Sequence, residues 1–215
     1  MDVKIVTKHQ HIDLYPIPKD SEKLILGTIH PHHHENFLLP FFYGNKNSIW
    51  EIFSDAFPEL LPKPVTLEKV LHFLDIKKIA VSDTVLECER NNSTYLDNDF
   101  TCTKLNTDLI EQIKNSHITE IFFTSGFGKN NAFKLFYVDI LQQKITPEIR
   151  KNKEVILDKD IFGRVVKLTI LLSPSGSANI AWATSSAYKQ NAHLYKNSRR
   201  PVHDFKVDYY REKFS

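Results

Sequence analysis

The sequence predicts an α/β domain, and three observations carry that prediction. Short apolar runs rich in β-branched and aromatic residues recur at Leu24–Ile29, Ile79–Val81, Glu120–Thr124 and Val165–Leu172. Each is bounded by polar residues or glycine, as strands are. Helical periodicity falls between these runs, and strand–helix alternation implies parallel strands joined by crossover helices. Finally, Ile121–Phe123 and Leu168–Leu172 are apolar on both faces, which fits a sheet covered on both sides.

Each element has a local reason. After Ser48, the residues Ile49, Ile52, Phe53 and Ala56 line one face of a helix. Leu67, Val70, Leu71 and Leu74 repeat that spacing, with Thr66 as N-cap and Glu68 in the first turn. Asn106–Lys114 fits a third helix and Asn131–Leu141 a strongly buried one. The charged segment Gln142–Arg164 is an excursion that predicts a hairpin turning near Asp158–Gly163. Repeats and low-complexity tracts are absent.

The chain has 215 residues, which suits one domain over 1–215, and 41% hydrophobic with 12% aromatic residues supports a real core. A net charge of +2 gives no general case for nucleic-acid binding, which would need a local basic face. Cys88 and Cys102 are too few and too unpatterned for a disulfide framework or a cysteine zinc site. Neither a leader-like N-terminal pattern nor an apolar run near the roughly 18 residues of a membrane span is visible. The expectation is a soluble, cytoplasmic monomer without a cofactor and without membrane association.

Ligands of such sheets sit beyond the C-terminal strand ends. Leu24-Ile-Leu-Gly27-Thr-Ile29 empties into a turn followed by Phe41, Phe42, Tyr43 and then Asn45, Lys46 and Asn47. Leu168–Leu172 empties into Ser173-Pro-Ser175-Gly-Ser177-Ala-Asn179, a small hydroxyl-rich loop. Two such loops suit a flat base plus a phosphate. Asn45 and Asn47 fit either a turn with an N-cap or an amide held at a pocket edge. The serine loop fits either a capping turn or an anion site at a helix start. Asp83, ending the second strand, either accepts from a ligand N–H or caps the next turn. Arg90 and Asp97 are a candidate structural pair. His30-Pro-His32-His33-His34-Glu35 supplies five possible metal ligands, but adjacent positions on an extended loop alternate in direction, so a polar loop over a pocket is favoured. The segment 189–215 interleaves Lys and Arg with Tyr and Phe, as a nucleic-acid backbone or a solvated amphipathic face would require.

Four blocks together resemble the uracil-DNA glycosylase superfamily, most nearly its hypoxanthine-DNA glycosylase branch (family 6). They are Leu24–Ile29, Phe42–Trp50, Ile79–Arg90 and Leu172–Asn179, in the family's order, and the resemblance spans about residues 24–190. It implies a three-layer α/β/α sandwich around a central, mostly parallel four-stranded sheet. It also implies metal-free hydrolysis of the bond between a damaged base and deoxyribose, on a nucleotide flipped out of DNA. By this resemblance Asn47 orients the attacking water, and His30 stands where other branches keep a catalytic residue. Asp83 reads the base, with Phe42, Tyr43 and Gly27 around it, and Ser173, Ser175, Ser177 and Asn179 grip the DNA backbone. The chain departs from the branch pattern at Asn45 and Lys46, where that branch has Pro and Arg, and at Leu172-Ser173, where many relatives have His-Pro. A deaminated base in DNA, hypoxanthine or uracil, is the implied substrate. The competing expectations are a non-catalytic nucleic-acid-binding protein with the same fold, and a metal-dependent hydrolase built on His30, His32, His33, His34 and Glu35.

Overall fold

The computed structural model describes residues 4–46, 48–91 and 99–215. The chain divides into two compact units, residues 1–45 with 78–171 and residues 46–77 with 172–215.

The first unit carries all the strands of the described residues: β1 (Ile5–Lys8), β2 (Lys23–Gly27), β3 (Ile79–Asp83), β4 (Val85–Arg90), β5 (Phe100–Leu105), β6 (Glu120–Phe123), β7 (Glu154–Leu157) and β8 (Val166–Ile170). One sheet runs β3–β2–β6–β8–β7, with the first four strands parallel and β7 antiparallel to β8. The α/β class and the mostly parallel sheet agree with expectation, but the sheet has five strands rather than four. The additional strand is one arm of the expected hairpin, whose turn is the single helical turn α6 (Lys159–Phe162). β7 is four residues long with Ile156 65% exposed, the profile of an edge strand, and so gives too short an apolar run to stand out.

β1, β4 and β5 form a second, antiparallel sheet that the sequence did not suggest. Its strands interleave charges with small or apolar residues, as in Val85-Leu-Glu-Cys-Glu-Arg90, and β5 is mostly exposed or half-buried.

Alternation along the five-stranded sheet sends Leu24, Leu26, Ile121, Phe123, Leu168 and Ile170 into one core. They meet Leu109 and Ile113 of α3 (Leu109–Lys114), and Ala132 and Phe133 of α4 (Ala132–Lys134). α4 runs on into a π-helical turn, Leu135–Ile140, that adds Phe136 and Tyr137. Phe133 stacks on Tyr137 with ring centroids 5.1 Å apart, so truncating it would cost about 3–5 kcal/mol. α5 (Pro147–Asn152), capped by Thr146, leads into β7.

The second unit is helical: α1 (Ser48–Ala56), α2 (Leu67–Ile76), α7 (Asn179–Thr184), α8 (Ser186–Asn191) and α9 (Pro201–Phe214). Thr66 caps α2 as expected, accepting from the Lys69 N–H. Phe53 of α1 is its hub, with centroids 5.0 Å from Phe214, 5.2 Å from Phe73 and 5.8 Å from Tyr210. Arg211 donates to the Ala56 carbonyl at 3.0 Å, placing a cation at the negative end of α1. The basic and aromatic segment after residue 189 is therefore largely folded: α9 buries Phe205, Lys206, Val207, Tyr210 and Phe214.

Candidate active site

Parallel pairing sets Gly27 directly beside Asp83 at the C-terminal ends of β2 and β3. The backbone there is clamped. Thr84 donates to the Gly27 carbonyl from both its N–H (3.0 Å) and its hydroxyl (3.1 Å), and Asn106 donates to the Asp83 carbonyl at 3.0 Å. Asp83 ends a strand and opens onto β4, so it caps no helical turn. A Cβ on Gly27 would overlap Asp83 Oδ1 and the Tyr43 hydroxyl, which therefore both stand over its Cα. Tyr43 reaches this point from a left-handed backbone (φ 56°), a conformation that costs a non-glycine residue about 1–3 kcal/mol. Its hydroxyl lies 3.2 Å from Thr124 Oγ1, just past β6. Three adjacent strand ends and one strained tyrosine thus frame a single point. Phe42 packs behind it, 1% exposed, between Phe41 (5.1 Å), His9 (5.4 Å) and His11 (5.6 Å).

Beyond Asp83 lies a cluster of imidazoles. His9 Nδ1 accepts the backbone N–H groups of His11 (3.1 Å) and Ile12 (3.2 Å). The proton of the neutral ring is therefore on Nε2, which donates to Asp83 Oδ2 at 2.8 Å. The two side chains are only 2% and 8% exposed, so water does not compete for this bond. Among the described residues Oδ1 accepts no hydrogen bond. His30 is fixed likewise: Nε2 accepts from the Gln10 N–H (3.0 Å), leaving Nδ1–H to donate to the Pro31 carbonyl (2.7 Å). Burial lowers its pKa to about 4, against the opposing pull of the Pro31 carbonyl. His30 thus stands at the site as a neutral ring with both nitrogens engaged, not as a free acid or base. His11 is the anomaly. It is buried, neither ring nitrogen has a partner among the described residues, and burial followed by the His30 and His9 rings lowers its pKa to about 4.

The histidine loop does not gather into a metal cage. His32 Nδ1 pairs with the Thr7 hydroxyl (3.2 Å) and His33 Nδ1 with Glu35 (3.1 Å). Among the described residues no group of three or more His, Cys, Asp or Glu converges as metal ligands do. His32 and His34 instead line a cavity of about 250 Å³ with Val6, Thr7, Lys8 and Gln10.

Ser173, Ser175, Ser177 and Asn179 belong to the second unit. Ser175 Oγ accepts the Ser177 N–H (3.2 Å) and lies 2.7 Å from Ser177 Oγ, a capping turn that leaves Ser177 and Asn179 exposed. Three side chains hold the carbonyls of this loop. Tyr210 donates to Leu172 (2.9 Å), Trp182 to Ser173 (2.8 Å) and Lys206 to Ser175 (3.0 Å).

Asn47 and Asp97 lie outside the described residues. Arg90 donates to the His30 carbonyl (3.3 Å) and lies over the Phe100 ring, so it helps to hold the histidine segment. Sequence reasoning missed His9, Thr124 and Lys206. Only His9 carried a signal: the His9-Gln-His11 alternation places two imidazoles on one side of extended chain.

No family model matches the chain, and no curated protein does. Among solved structures it is similar to a solution NMR structure from Methanosarcina acetivorans, provisionally described as a uracil DNA glycosylase. That match covers 97% of this chain and 98% of that one, with 16% sequence identity and a TM-score of 0.51. The likeness is one of fold.

Proposed function

We propose that the protein is a monofunctional DNA glycosylase that hydrolyses the N-glycosidic bond of a flipped-out deaminated base, hypoxanthine or uracil. The observation that carries this reading is the pairing of an acceptor-only carboxylate, Asp83, with the Tyr43 ring over the side-chain-free Gly27. A carboxylate accepts and cannot donate. It would bind hypoxanthine through N1–H or uracil through N3–H, and repel the bare N1 of adenine. Tyr43 supplies the ring edge and Phe42 the packing behind it. Gly27, without a side chain, lets Asp83 Oδ1 and the Tyr43 hydroxyl close over the strand end.

Cleavage of this bond passes through a cationic sugar and a departing base anion, so the protein need only position water and stabilise charge. Asn47 is the residue proposed to orient that water. Ser173, Ser175, Ser177 and Asn179 are proposed to hold the DNA backbone through hydroxyls and backbone N–H groups. Among the described residues no helix is long and apolar enough to cross a membrane.

The test is alkali-revealed nicking of oligonucleotides bearing a panel of damaged bases, in EDTA. Base release is expected from a hypoxanthine or uracil substrate, and Asn47→Ala should lower it by about tenfold or more. An intact panel refutes the proposal. Salt-sensitive DNA binding that Asn47→Ala leaves unchanged, with no abasic product, would mark a non-catalytic binder.

A further inference from the structure

We infer that His9 is the positioning residue of the base-reading carboxylate: it occupies Asp83 Oδ2, so that the site reads a single ring N–H through Oδ1 and cannot grip guanine with both oxygens. This rests on the glycosylase reading, and it extends it from which residue touches the base to why normal guanine is left alone.

A free aspartate offers two oxygens in one plane. Guanine presents two parallel donors, N1–H and the exocyclic amine, which such a fork would bind bidentately. Hypoxanthine lacks the amine and would bind more weakly than the normal base, the wrong order for a repair enzyme. Here the His9 Nε2–H takes one of the two acceptor sites of Oδ2 and turns that oxygen toward the histidine, while Oδ1 stands over Gly27. Two backbone N–H groups fix the His9 tautomer, and the resulting Nε2–H takes Oδ2 at 2.8 Å in a nearly dry setting. His9 is itself braced by the rings of His30 (4.9 Å), Phe42 (5.4 Å) and His11 (5.9 Å), so the carboxylate plane cannot turn while the ring stays. Oδ1 remains over Gly27 beside the Tyr43 hydroxyl. One acceptor then meets one donor.

The test compares wild type, His9→Phe, which keeps a ring but has no donor, and His9→Gln, whose amide restores one. Steady-state kinetics are measured on the deaminated-base oligonucleotide that the wild type cleaves, with free guanine and free hypoxanthine as inhibitors. His9→Phe should raise KM by about tenfold with kcat nearly unchanged, the pattern of lost uniform binding. Guanine should become the better inhibitor relative to hypoxanthine, and His9→Gln should recover most of both effects. A His9→Phe protein that melts like wild type and keeps its KM and its guanine ratio overturns the inference. If the wild type releases no base at all, the glycosylase reading fails instead. The positioning is then judged by the His9 Nε2–H resonance: a downfield, slowly exchanging proton that Asp83→Ala shifts upfield and exposes to exchange supports it, and a resonance that Asp83→Ala leaves unchanged overturns it.

Discussion

Lys206, in the middle of α9 and 2% exposed, donates its ammonium to the backbone carbonyl of Ser175 at 3.0 Å. Burial lowers its pKa to about 8, yet it retains this partner, a second at the Pro174 carbonyl and the Trp182 ring at 5.7 Å. With Trp182 and Tyr210 it makes a set of three donors holding the carbonyls of the serine loop. Lys206→Met keeps the apolar stem and removes the donor. The loss should be about 1–3 kcal/mol, read as a lower urea midpoint, because buried carbonyls are left without their partner. If the loop grips DNA, affinity should fall as well. An unchanged midpoint would show that the lysine holds nothing.

Two glycines should fail in opposite ways. At Gly27 the added methyl would meet Asp83 Oδ1 and the Tyr43 hydroxyl, the ends of two side chains that can swing aside. Gly27→Ala should therefore fold, losing about 1 kcal/mol as the bonds to His9 and Thr124 loosen. Base release should drop by about tenfold or more, since displacing positioning groups by an ångström is enough. At Gly44 the methyl would run into the backbone carbonyls of Leu39 and Phe41, which cannot move independently of the turn. Gly44→Ala should lose more than about 2 kcal/mol, by the cost of overpacking. Thermal melts and the nicking assay separate the two. A Gly27→Ala enzyme with full activity would refute a base-reading role for Asp83 and Tyr43 at this strand end.

The legibility of the fold follows from burial. β2, β3, β6 and β8 are covered on both faces and so appear as plain apolar runs, and Thr66 marks the start of α2 by capping it. β1, β4, β5 and β7 are edge or half-exposed strands: polar residues interrupt β1, β4 and β5, and β7 is too short an apolar run to stand out. The candidate site divides in the same way. Asp83 and Gly27 are visible as strand-end residues, and the structure brings Tyr43 to them. The imidazole on Asp83 comes from 74 positions upstream, a pairing set by tertiary geometry alone. In the histidine run, read as a polar loop over a pocket, His30 is occupied by the main chain, while His9, outside the run, holds Asp83 and packs against His11 and His30.

Those contacts predict how stability depends on pH. His11 and His30 are each lowered from 6.5 to about 4 in the folded protein, chiefly by burial. In the unfolded chain both regain ordinary imidazole behaviour, so between pH 6.5 and 4 the unfolded state binds more protons. Stability should therefore be complete above about pH 6.5 and decline through that window, on the order of 3 kcal/mol for one such group. The His30 ring is one of the causes that lower His11, so their contributions are not additive. Urea midpoints at pH 7.5, 6, 5 and 4.5 should trace the decline. His11→Leu should flatten it and leave stability at pH 7.5 unchanged or higher, because the substitution removes a buried imidazole whose nitrogens have no partners among the described residues. A wild-type midpoint flat from pH 7.5 to 4.5, or a His11→Leu profile as steep as the wild type, would mean that His11 is hydrated or paired in solution.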